Sequence, residues 1–97
     1  MKIAIYSICK NESRNIERYA QMAKEADLTV VLDTGSTDET LNLLASHKHI
    51  EVSEEQFKPW RFDVARNVSL ALVPEDVDLC LWMDIDEYFS PGWRKII

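Results

Sequence analysis

Four short runs of β-favouring apolar residues, each stopping at a polar cluster, alternate along this chain with apolar residues at helical spacing. That alternation constrains the fold more than any other feature. The first run, Lys2 to Cys9, is nearly continuous in apolar residues, the pattern of a strand covered on both faces. It breaks at Lys10-Asn11-Glu12, and Ile16, Tyr19, Ala20, Ala23 and Ala26 then recur every three or four residues as the stripe of a helix. Leu28 to Leu32 is a second buried strand, ending at Asp33-Thr34-Gly35. Ser36-Thr37-Asp38-Glu39 has the form of a capping box, in which Ser36 and Glu39 would each take the other's backbone N–H. Leu41, Leu44 and Ala45 give the helix behind it an apolar face, and His49 to Ser53 reads as a short third strand. Gln56 to Arg61 reads as a connecting loop. Phe62, Ala65, Val68 and Leu72 form another helical stripe, which Pro74 ends. Val77 to Met83 is the strongest strand and runs into Asp84-Ile85-Asp86-Glu87, while Tyr88 to Ile97 carries no clear element. Strands alternating with helices imply an α/β, Rossmann-like parallel sheet of about four strands, with right-handed crossovers and helices on both faces.

Length and charge bound what such a sheet can serve. The chain has 97 residues, enough for one domain spanning 1–97, and 46% are hydrophobic, which fits a packed globule rather than a disordered chain. A formal net charge of −6 argues against nucleic acid or an anionic membrane as partner. Cys9 and Cys80, the two cysteines, both sit in apolar runs and read as small buried hydrophobes. Two cysteines make no disulfide framework, so a reducing, cytoplasmic setting is expected. No signal-peptide pattern opens the chain, and no apolar stretch is long enough to span a bilayer.

The polar clusters carry the chemistry. Ligands of open parallel sheets bind beyond the carboxyl ends of the strands, and Asn11, Glu12, Asp33 and Asp84 to Glu87 all follow strand runs. On an extended chain, Asp84 and Asp86 would point the same way. Two such carboxylates suit one hard divalent cation, Mg²⁺ or Mn²⁺, with positions left for phosphate oxygens. The cation would reverse a field that otherwise repels a diphosphate. Asp33 suits hydrogen bonds to a base or ribose, and Arg66 lies on the helix before the last strand, within reach of a ribose or phosphate. Plainer readings stand beside these. Asp33 and Ser36 also fit turn and cap chemistry, Arg66 a solvated helix face, and Glu12 first-turn helix charge. Glu87 fits an outer position near the metal or plain exposure, His47-Lys48-His49 a surface segment, and Trp60 and Trp82 packing groups. No Ser/His/Asp nucleophile set is present.

In series, these segments resemble the family 2 glycosyltransferases. Lys10-Asn11-Glu12 with Asn15-Ile16 resembles their opening, and Val30 to Thr40, with Asp33-Thr-Gly-Ser-Thr-Asp38, resembles their second-strand motif. Phe62-Asp63-Val64-Ala65-Arg66-Asn67 and Leu81-Trp-Met-Asp84-Ile-Asp86-Glu87 are similar to the segments that follow. The resemblance covers Lys2 to about Glu87. It implies the nucleotide-sugar-binding half of a GT-A fold, with strand order 3-2-1-4 and a nucleoside-diphosphate sugar, most often a uridine one, as donor. It places Glu12 and Asp33 near the nucleoside and Arg66 near the ribose or diphosphate. Asp84 would lie near ribose and metal, with Asp86 as the principal metal ligand. Thr34 stands where many relatives carry an acid, and Asp63 where a small or hydroxylated residue is usual. The family's acceptor site and catalytic base lie downstream of the Asp-x-Asp segment, so transfer by this chain alone is doubtful, and Glu87 is the nearest candidate base.

Two other classes compete with a glycosyltransferase. A haloacid-dehalogenase-type phosphatase also uses Asp-x-Asp after a strand, but after the first strand and without the Glu87-Tyr88 that follows here. A non-catalytic nucleotide-binding or interaction module would keep the fold without the chemistry. The apolar, charge-free run Leu79 to Met83 also suggests an edge strand able to pair two copies as a homodimer.

Overall fold

A computed structural model describes all 97 residues. The first strand, β1 (Ile3–Cys9), sits inside the sheet because it is apolar on both sides and can pair on both edges. It is parallel to β2 (Leu28–Asp33) on one edge and to β4 (Leu79–Trp82) on the other, and β3 (Ile50–Glu54) extends the sheet beyond β2. The order β3-β2-β1-β4 is the one the resemblance implies. Registers run Cys9 opposite Asp33, Tyr6 opposite Trp82 and Asp33 opposite Glu54.

Alternation along β1 decides what each face receives. Ile3, Ile5 and Cys9 face one layer, where α1 (Ile16–Ala23) and α2 (Thr40–Ala45) close a core with Ile16, Tyr19, Ala20, Ala23 and Leu44. Ser7 faces the same layer, and its buried hydroxyl is matched to the Tyr19 hydroxyl at 2.7 Å. Each large aliphatic side chain buried in this layer contributes about 1.5–3 kcal/mol. Tyr6 and Trp82 lie on the opposite face with α3 (Phe62–Ala71), where they meet edge to face at 5.4 Å, and Phe62 meets Trp82 at 5.8 Å. Helices therefore cover both faces.

Several expectations shift. α1 ends at Ala23, and Ala26 packs against the core from the turn that follows. β4 is shorter than the run Val77 to Met83. Only Ala65 and Ser69 of α3 are buried, so Phe62 and Leu72 of the expected stripe stay largely exposed. Cys9 is buried but Cys80 is exposed, because β4 is an edge strand whose α3-side face is only partly covered. The capping box does not form. α2 starts at Thr40, and the Ser36 hydroxyl is held by Asp33 and the Asn11 N–H instead. A carboxylate three residues upstream is the stronger local partner. The tail is structured as well: a 3₁₀ turn, Trp93–Ile96, buries Trp93 in the α1 layer with its indole N–H on the Met22 carbonyl at 3.0 Å. No helix is long and apolar enough to cross a membrane.

Candidate functional site

All four parallel strands end on the same side, and the segments that leave them surround one cleft of about 580 Å³. β1 supplies Ile8, Cys9, Lys10 and Glu12, β2 supplies Thr34 and Gly35, and β4 is followed by Asp84, Ile85 and Asp86. The loop after β3 adds Gln56, Phe57, Lys58 and Trp60. The chain changes direction across the sheet between β1 and β4. Glu12 and the Asp84-Asp86 pair flank that switch point, where open sheets take their ligands.

The β1 and β2 loops are laced together before any ligand arrives. Asn11 has φ 52°, a left-handed conformation that asparagine tolerates better than most residues. From there its side-chain oxygen accepts the Thr37 N–H at 2.7 Å and the Asp38 N–H at 3.3 Å. Its own N–H donates to Ser36 Oγ at 2.9 Å, and the Glu12 N–H donates to Thr40 Oγ1 at 3.0 Å. The Glu12 carboxylate accepts the Asn15 amide at 2.8 Å, which fixes it at the cleft wall.

Asp33 does not line the cleft. It is 1% exposed, and its carboxylate accepts the Gly35 N–H at 3.1 Å, the Ser36 N–H at 2.9 Å and the Ser36 hydroxyl. The turn reading of Asp33 is the one whose bonds are seen. Thr34 fills the neighbouring position, holding the Cys9 carbonyl through both its N–H and its hydroxyl.

Asp84 and Asp86 both face the cleft, with Ile85 between them buried in the core. The pair is not held by an extended strand as expected. β4 stops at Trp82, and a turn closes from the Glu87 N–H to the Asp84 carbonyl at 3.0 Å. Glu87 accepts the Asp84 N–H at 3.0 Å and lies outside the cleft lining, so its carboxylate braces the turn. Arg18 donates to the Asp86 carbonyl at 3.1 Å while its guanidinium lies over the Tyr88 ring. Partial burial, followed by repulsion from Glu87 and Asp86, holds the Asp84 carboxyl above the usual carboxylate range, with Arg66 opposing. A nearby cation would relieve that repulsion.

No three His, Cys, Asp or Glu side chains form a ready-made ligand set. Two carboxylates on an open cleft instead fit a hard cation that completes its shell with phosphate oxygens and water. Arg66 stands beside this cleft rather than in it. It stacks over Trp82 at 5.0 Å and lines a separate hollow with Tyr6, Phe62, Asp63, Asn67 and Leu70. Burial and the neighbouring acids push the Cys9 thiol up to about 12, so it is neutral at physiological pH. The cleft residues missed from sequence, Lys10 and the Gln56 to Trp60 loop, had no periodicity to reveal them. Trp60, read as a packing group, is 53% exposed on the cleft.

No protein-family model matches the sequence, and no curated protein matches it. The fold is similar to that in a crystal structure of S. aureus TarS, residues 1–349, with a TM-score of 0.80 and 23% sequence identity. The match takes in 99% of this chain and 31% of that one, so the chain spans about a third of the neighbour's length. At this identity, what the two share is the fold: a parallel α/β sheet in the order 3-2-1-4.

Proposed function

We propose that this chain binds the nucleoside-diphosphate-sugar donor of a glycosyltransferase of the family 2 type, with a uridine donor preferred and Mg²⁺ or Mn²⁺ held by Asp84 and Asp86. The observation that carries the reading is the meeting of all four strand ends on one cleft, with two carboxylates at its switch point and two lysines, Lys10 and Lys58, on its walls. The likeness in fold to TarS and the four motifs in series support the same reading. The cation would supply charge neutralisation for the diphosphate and its leaving group. The chain's own part is to present the two carboxylates, keep Glu12 at the opposite wall and hold the β2 turn through Asp33. In this scheme Asp33 acts on the nucleoside side by shaping the Thr34-Gly35 wall, and Arg66 adds positive potential beside Asp84. Calorimetry with UDP, GDP, dTDP and CDP, each with and without Mn²⁺, tests the proposal. UDP should bind best with Mn²⁺, and Asp86→Ala should weaken that binding severely. Equal UDP affinity in excess EDTA would remove the metal from the scheme.

One observation favours a second reading, a nucleotide-binding module without transfer chemistry. The nearest candidate base, Glu87, has its carboxylate engaged by the Asp84 N–H. General-base catalysis is typically worth about 10²–10⁴-fold, so transfer to an added acceptor should be slow or absent. Robust turnover that Glu87→Gln abolishes would make Glu87 the base and exclude the module.

A further inference from the structure

The loop between β3 and α3 places an aromatic pair and an amide on the cleft. Phe57 and Trp60 meet edge to face, with centroids 6.1 Å apart and planes at 75°. Phe57 is half-buried, whereas Trp60 keeps 53% of its surface open. A large indole left this exposed gains little from folding, and its cost to solubility is tolerated most readily where a ligand covers it. Gln56, exposed on the same loop, sets its side-chain amide against Gly35; a Cβ at that glycine would lie 3.6 Å from Gln56 Nε2. Gly35 has φ 122°, which few other residues adopt, so its backbone and the amide of Gln56 stay in close company.

An exposed indole and a primary amide lining the same cleft are the chemistry that reads an unstacked base. The ring covers its π-face, and the amide offers one donor and one acceptor to its edge. A pyranose has a partly apolar face but no planar donor–acceptor edge. We infer that Trp60 is the stacking platform for the donor's nucleobase and that Gln56 reads the base edge, which makes the β3–α3 loop the specificity loop of the cleft. This rests on the donor-binding reading above, but it involves neither carboxylate of the metal pair.

Intrinsic fluorescence and calorimetry test it without relying on turnover. Uridine and UMP, in EDTA, should quench the emission of the exposed indole, while free monosaccharides should not. Trp60→Ala should weaken UDP binding about tenfold to a hundredfold, the range for loss of one base–aromatic stack. Trp60→Phe should keep most of the affinity and lose the quenching. Gln56→Ala should flatten the preference among UDP, CDP and GDP while leaving the Mn²⁺ requirement intact. Because Trp60 is exposed, circular dichroism should show both Trp60 variants folded. Wild-type affinity for UDP in Trp60→Ala, or quenching by monosaccharides and not by uridine, would overturn the platform and leave the donor reading standing. Absence of all nucleotide binding to the wild-type chain would overturn both.

Discussion

At the scale of single residues, the acid that ends β2 and the two that follow β4 divide their labour by exposure. Asp33 is inside and spends its carboxylate on three donors of its own turn, whereas Asp84 and Asp86 are outside and face the cleft. Asp33→Ala should therefore lower stability by about 1–3 kcal/mol, because half-buried donors lose their buried acceptor. A urea titration measures this, and nucleotide affinity should fall with it as the Thr34-Gly35 wall loosens. The cysteines give a second residue-level expectation. Cys80 should react with maleimide within minutes at neutral pH, and Cys9 only after denaturation, since Cys9 is buried and its thiol stays protonated up to about 12. The sign of the linkage follows: an unfolded chain releases that proton near the ordinary thiol value and the folded chain holds it. Cys9 thus contributes stability that is whole below about pH 9 and is lost as pH rises toward 12. Thermal melts of wild type and Cys9→Ala from pH 7 to 11 should converge as the pH climbs.

Among the elements, β1 and β2 stand within a residue or two of where apolar runs placed them, because a strand buried on both faces writes its limits into local sequence, and β3, buried only at Ile50, is shifted by one residue from its expected run. The polar ends of those runs likewise marked the side of the sheet where the cleft opens. Features fixed by distant partners were not legible. The start of α2 depended on Asn11, 25 positions away, holding Ser36 together with Asp33, and the tail's 3₁₀ turn depended on Met22, 71 positions away. The cleft wall from Gln56 to Trp60 is irregular backbone, which carries no period to read. Edge strand β4 bears a further prediction. Its outer side has no partner strand, and Cys80 is exposed on its α3-side face, while Leu81 packs against the core. Sedimentation at high micromolar concentration should find a dimer paired through β4, weakened by Cys80→Lys, which adds a charge without disturbing the core. A strictly monomeric wild-type chain over that range would refute edge pairing.

For the molecule as a whole, the two ends of the sheet do different work. At the end where the strands begin, Asp27 accepts the Ile3 N–H at 2.8 Å and pairs with Arg94 at 3.0 Å, and Arg94 also donates to the Met1 carbonyl at 2.8 Å. Glu25 holds the Gly92 N–H at 2.9 Å, and Trp93, 4% exposed, plugs the layer behind α1. Trp93→Ala should cost about 3–5 kcal/mol. For a chain of this size each 1 kcal/mol moves the melting temperature by about 4–8 °C, so a calorimetric scan should show a shift of well over ten degrees or outright unfolding. The strands finish at the other end, in the loops that line the cleft. Stitching at one pole thus leaves the opposite pole free to be rewritten. The five positions from Gln56 to Trp60 are all exposed or half-buried, so replacing them should move the melting temperature little. A lineage built on this sheet could acquire new ligands by loop exchange alone, with its scaffold inherited unchanged.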